Sequence, residues 1–211
     1  MSFTKSPQHF SIVLLNDPVP LDKVSVDNIR KNGVFEVVTS LGNEALLLES
    51  PIKKIKANFQ IIRLEFTDEN SSDFDKRTFS DFESLLNLLP PLMVKAVGVN
   101  LFARLDFADN FDVSQLISDS FLKDREKFEA KLKSKVISTS VRVFYGESTN
   151  DHYDLRLTPV DLKASKLYIQ LHRHKDIVIT DQIRQIAETR KLFEETRLEL
   201  NKTLKEIFGE G

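Results

Sequence analysis

The sequence has no cysteine, no tryptophan and only six glycines in 211 residues. Without cysteine it forms no disulfide, no thiolate nucleophile, no zinc knuckle and no Cys-ligated iron–sulfur cluster. The glycines are Gly33, Gly42, Gly98, Gly146, Gly209 and Gly211, and none of the four internal ones has another within eight residues. A phosphate-cradling loop needs clustered glycines so that backbone N–H groups can approach the anion. The dinucleotide fingerprint, the Walker A loop and the nucleophile elbow are therefore excluded. Long apolar runs are missing too: Leu85–Leu89 is interrupted by Asn87 and is far shorter than a membrane span. The opening MSFTKSPQHF lacks a basic stretch followed by an apolar one, so no secretory leader is expected. Nor is there an excess of one charge. Thirty basic residues face 32 acidic ones for a net charge of -2, which argues against a dedicated duplex-binding protein while leaving room for a local basic patch. Together these absences predict a soluble cytoplasmic protein compatible with a reducing compartment, without membrane contact and without a cofactor.

What is present is an ordinary globular composition, 41% hydrophobic and 29% charged, long enough for one large core or two small ones. The apolar period switches repeatedly between two and about 3.6. Phe10–Leu15 reads as a strand, and Pro20–Asn32 as a short helix stopped by Gly33. Val34–Ser40 and Glu44–Glu49 form a hairpin around Leu41-Gly42-Asn43, Pro51 ends it, and Ala57–Phe66 is the next strand. Phe79, Phe82, Leu86 and Leu89 then mark an amphipathic helix stopped by Pro90-Pro91. The order begins again with a strand at Ala96–Phe107 and a helix from Asp112 through Phe128. Strands at Val136–Tyr145, His152–Thr158 and Lys166–His174 follow, and a last helix runs from Thr180 or Asp181 to about Phe208.

Both halves thus read strand, helix, three strands, helix, with Gly42 and Gly146 at matching hairpins and Pro51 and Pro159 after matching strands. The expected division is 1–91 and 92–176 as two α+β halves, with 177–211 as a long helix completing the second. The fold expected is α+β, an antiparallel sheet with helices on one face and the other face open. That element order resembles the duplicated TATA-binding-protein-like fold, in which two such halves form one curved sheet. The resemblance covers most of the chain and rests on no sequence motif; it implies a fold and carries no function.

Strand parity locates the open face of the second half. If Val141, Val143, Tyr153, Leu155, Leu157, Leu167, Ile169 and Leu171 face the helices, the opposite residues include Arg142, Phe144, His152, Asp154, Arg156, Tyr168, Gln170, His172 and His174. Arg142, Arg156, Tyr168, Gln170, His172 and His174 are the expected binding surface, since Arg, Tyr, Gln and His on a flat face suit macromolecular recognition. His172 and His174, two apart on one strand, point the same way. Arg173 and Lys175 beside them oppose a bound cation, so no metal is expected. His152 lies between Asp151 and Asp154 and is a candidate general base, but no nucleophile pairs with it in sequence. Asp73 and Asp75 have a D-x-D spacing without the glycine and distal Glu of a calcium loop.

The last helix carries a heptad seam in Ile179, Ile183, Ile186, Arg190, Phe193, Arg197, Leu200, Leu204 and Ile207. At 1.5 Å per residue it reaches about 43 Å, against roughly 23 Å for a strand of about seven residues. An overhang follows, and with it an oligomer or partner contact through Ile186, Arg190, Phe193, Arg197, Leu200, Leu204 and Ile207. The function expected is a non-enzymatic binding protein that assembles through this helix and offers its open sheet face to a protein or other macromolecule. Nucleic-acid binding on a TATA-binding-like sheet is the alternative; a hydrolase or metal-dependent enzyme built on His152, His172 or His174 is the third.

Overall fold

In the strand Phe3–Asn16 (β1), Phe10, Ile12 and Leu14 are fully buried, while Val13 and Leu15 between and beyond them are not. The same period of two along Val94–Phe107 (β6) buries Val97, Val99, Leu101, Ala103, Leu105 and Phe107, which places all six on one face. The structure is a computed structural model that describes residues 3–70, 74, 79–108, 111–161 and 165–209. Between β1 and β6 lie α1 (Val26–Asn32), β2 (Val37–Leu41), β3 (Ala45–Ser50), β4 (Ile55–Gln60), β5 (Arg63–Asp68) and α2 (Ser80–Leu88). After β6 come α3 (Val113–Phe121), α4 (Arg125–Leu132), β7 (Val141–Ser148), β8 (Asp151–Pro159), β9 (Lys166–Ile179) and α5 (Gln182–Phe208). The strands form one antiparallel sheet of nine in the order β2-β3-β4-β5-β1-β6-β9-β8-β7. The fold is α+β, with β1 and β6 paired at its centre and a long helix at its C-terminal end.

Helices α1, α2, α3 and α5 contribute to a single core with the buried face of the sheet. Phenylalanine fills it. Phe10, Phe79 and Phe193 meet edge-on or stacked at ring-centroid distances of 5.0 to 6.1 Å, joining β1, α2 and α5. Phe3, Phe107 and Phe208 form a second group toward the other end of α5. Local signals behave as their chemistry requires. Ser25 accepts a hydrogen bond from the Asn28 amide to start α1, Gly33 ends it in the left-handed conformation, and the Asp112 and Asp181 side chains cap α3 and α5.

Three boundaries differ from the sequence expectation. The single strand expected at Ala57–Phe66 is two, β4 and β5, reversed at Ile61-Ile62. This turn contains none of the Gly, Asn, Asp or Pro residues that announce a turn, and the alternation continues through it. The first half therefore has four strands after its helix, not three. The helix expected through Phe128 breaks at Leu122, and Asp124 takes a positive φ of 58° before α4 begins. The strand expected from Val136 starts at Val141.

The largest difference concerns α5. Strands β1, β6 and β9 are each 14 residues long, twice the seven-residue strand on which the overhang is expected, and span roughly 46 Å. At 27 residues α5 is about 40 Å long and fits over them without overhang. Phe193, Leu200 and Leu204 are buried in the chain's own core at 1%, 0% and 3% exposure, and Ile186 and Ile207 pack against that core. Arg190 pairs with Glu83 of α2, and Arg197 with Glu194 one turn back on its own helix. Five of the seven residues expected to form a partner seam, Ile186, Phe193, Leu200, Leu204 and Ile207, thus pack on the chain's own core, and Arg190 and Arg197 pair with acids.

Candidate binding face

The face of the sheet opposite the helices carries rows of polar and aromatic side chains, set by the antiparallel register. One row is Asn100, His172, Asp154 and Phe144 across β6, β9, β8 and β7. The next is Phe102, Gln170, Arg156 and Arg142; on the other side lies Gly98, His174, His152 and Gly146. Leu155, Leu157, Leu167, Ile169 and Leu171, which alternate with these residues, are buried beneath the helices. All six residues expected on the binding surface therefore share one side of the sheet. The structure also brings His152 to the His172 and His174 pair, with ring centroids 5.2 Å from His174, a neighbour that their distance in sequence conceals.

Asp154 anchors the face. Its side chain is 4% exposed and receives both guanidinium groups: Arg142 Nη2 and Arg156 Nη2 each donate to Oδ2 at 2.8 Å. Burial alone would push this carboxyl up. The hydrogen bonds from Arg142 and Arg156 prevail and hold it down at about 2, so it is ionised at neutral pH. Arg142 also lies over the Phe144 ring at 4.5 Å. The outer sides of both guanidiniums remain open, with Arg142 52% and Arg156 42% exposed.

His172 is fixed by a different network. Asn100 Nδ2 donates to Ser11 Oγ at 3.0 Å, which leaves Asn100 Oδ1 to accept from His172 Nδ1 at 2.8 Å. The proton is thereby assigned to Nδ1 and the lone pair to Nε2. Burial, reinforced by neighbouring His174, pushes His172 down to about 4, so the ring is neutral at neutral pH. Gly98 makes room for it: a Cβ there would lie 3.0 Å from His172 Cε1. His174 Nε2 bonds Asp176 Oδ1 at 2.9 Å, and His152 Nδ1 bonds the Thr149 carbonyl at 2.9 Å. Among the described residues no group of three or more His, Asp or Glu side chains is arranged to hold a metal ion. The D-x-D carboxylates Asp73 and Asp75 lie outside the described residues.

These side chains line a shallow depression of about 340 Å³ bounded by Asn100, Arg142, Phe144, Asp154, Arg156 and the three histidines. It shares Arg156 and Gln170 with a second depression of about 510 Å³ beside His9, Phe102 and Tyr168. Phe144 and His152 are shared with a third, of about 330 Å³, at the β7–β8 hairpin. Phe144 and Tyr168 stand at the two flanks with 57% and 48% of their surface exposed. The sequence marked Arg142 and Arg156 as surface groups, but the part of Asp154 in holding them carried no signal beyond its parity.

No protein family and no curated protein matches the sequence. Among solved structures the chain is similar to Methanococcus jannaschii TBP, with a TM-score of 0.35 and 8% identity over 92% of this chain and 99% of that one. No helix among the described residues is long and apolar enough to cross a membrane.

Proposed function

We propose that the chain is a non-catalytic binding protein that offers the β6–β9–β8–β7 side of its open sheet face to a protein partner. The observation that carries this reading is the buried carboxylate of Asp154 holding two half-exposed arginines beneath an uncovered depression, with exposed aromatic rings on either side. Prearranged arginine and aromatic groups are what protein interfaces use as anchors. A general acid–base role for Asp154 or His172 is disfavoured by protonation chemistry. General acids and bases work best with a pKa near the operating pH, and Asp154 and His172 are displaced from it to about 2 and about 4.

Nucleic acid is disfavoured by charge. On this face Arg104 is engaged by Asp106, and Arg142 and Arg156 share the single carboxylate of Asp154, which leaves one positive charge in excess at one point and no cationic track. On the first half Arg63 is engaged by Glu65 and Lys56 by Glu69. A phosphate backbone calls for uncompensated cations along its track. A photo-crosslinking side chain placed at Gln170, with a control at Asn58 on the other half of the face, tests the reading in cells. The expected result is a protease-sensitive adduct from position 170 and none from position 58. A nuclease-sensitive adduct, or equal labelling from both positions, overturns it.

A further inference from the structure

We infer that the Arg142–Asp154–Arg156 cluster recognises an acidic side chain of an extended peptide whose apolar residues lie two positions to either side of it. This inference rests on the reading of the face as a protein-binding surface and adds the chemistry of what it binds.

Charge arithmetic supplies the first argument. Two guanidiniums share one carboxylate, which leaves the cluster one positive charge in excess and two outward N–H edges unoccupied by Asp154. One further carboxylate completes the neutralisation, in the forked geometry that Arg and carboxylate favour. A phosphate dianion would overshoot it beside a neutral His172. Asp154 also fixes both arginines before a ligand arrives, so little side-chain freedom is lost on binding.

Register supplies the second. Phe144 stands one row above the arginine row and Tyr168 one row below it, on strands two apart. Two strand spacings of about 4.8 Å and four residues of about 3.3 Å along β9 put these rings roughly 16 Å apart, with the arginines between. In an extended peptide, residues i, i+2 and i+4 project from one side over about 13 Å. Side chains at i and i+4 reach outward to Phe144 and Tyr168, while i+2 meets the guanidiniums. The occupant is therefore apolar–x–acidic–x–apolar.

The intact chain, labelled for NMR at histidine, is titrated with acetyl-Leu-Thr-Glu-Thr-Leu-amide and with the same peptide carrying Gln for Glu. The ring signals of His152, His172 and His174 report occupancy directly. The expected result is saturable shifts with a Kd for the Glu peptide about tenfold below that of the Gln peptide. Arg142→Gln with Arg156→Gln removes that difference. Because the double variant strands the Asp154 carboxylate, the triple variant that adds Asp154→Asn is measured alongside and loses it equally. Equal affinity for the two peptides overturns the acidic preference and leaves the protein-binding face standing. A phosphoserine peptide, or an eight-residue oligothymidylate, that binds tenfold more tightly than the Glu peptide overturns the carboxylate as the ligand group. No shift with any probe overturns the inference, while protein crosslinking at Gln170 reports separately on the face itself.

Discussion

Gly98 and His172 show how much of the open face depends on single atoms. Strand glycines cost stability unless something needs the space, and here the His172 ring occupies it. Gly98→Ala brings a methyl group to 3.0 Å from His172 Cε1, so the ring must tilt and its bond to Asn100 lengthens. The expected outcome is a displaced set of His172 ring signals, read by NMR. Gly146 is less forgiving: at φ +148°, an added Cβ would lie 2.7 Å from the Asp151 carbonyl oxygen and from His152 Cα. Gly146→Ala should cost about 1–3 kcal/mol in denaturant unfolding. Protonation adds two pH windows. His172 has its folded pKa lowered, so the unfolded chain takes up its proton first and stability falls as pH drops from about 6.5 to about 4. Asp154 is also lowered, and the stability it confers, about 2 kcal/mol, is present above pH 4 and lost as pH falls toward 2. Glu129, held at about 2 by hydrogen bonds from Lys135, the Val136 amide and Arg125, acts in the same lower window. His172→Gln should abolish the upper slope and leave the lower one, as measured by urea unfolding across pH. Much of this site was legible from residue order, because period two alone sorts Arg142, Arg156, Tyr168, Gln170, His172 and His174 onto one side. What parity does not carry is depth. That Asp154 is almost covered while its arginines are half open follows from the register of three strands, which a linear sequence does not display.

At the scale of elements, the long helix teaches the most. Its apolar spacing was plain in the sequence, and so was its length. Its partner was not, because clean alternation covers only part of β9. Lys166–His174 alternates cleanly, whereas the bulge opposite Val94 and Ala96 and the polar Lys175-Asp176 obscure the continuation of β9 to Ile179. The face that α5 lays on the sheet includes Thr189, Thr196 and Thr203, seven residues apart, beside the larger Phe193 and Leu200. Thr196 Oγ1 donates to the Leu192 carbonyl at 2.6 Å, whereas Thr189 Oγ1 has no hydrogen-bond partner and is fully buried. A buried hydroxyl without a partner costs free energy, so Thr189→Val, which keeps the shape, should stabilise the protein by about 1 kcal/mol. Ending the chain after Arg190 strips Leu192, Phe193, Leu200, Leu204 and Phe208 from the core. The expected result is loss of a cooperative thermal transition by calorimetry, where a helix used only for assembly would leave the transition in place.

For the whole molecule, sheet and charge act together. The open face sets acids beside its arginines on both halves, so most of its cations are offset, and the Arg142–Asp154–Arg156 cluster keeps one positive charge in excess. Retention on heparin should accordingly be slight and lost below physiological salt, as followed by a salt gradient. The fold class was readable because the apolar period switches repeatedly between two and about 3.6, and the nine strands form one sheet because β1 and β6 pair along nearly their whole lengths. That central pairing has a consequence for how the chain is made. β1 lies against β5 on one edge and β6 on the other, yet Phe10 meets its partner Leu101 only after almost half the chain has been synthesised. Until then one edge of β1 has open N–H and C=O groups beside Phe10, Ile12 and Leu14, a template for the wrong strand. Closing so distant a contact is slow. The edge of β1 stays open to aggregation until β6 is made, and a nascent chain stalled before β6 should be a species a chaperone holds.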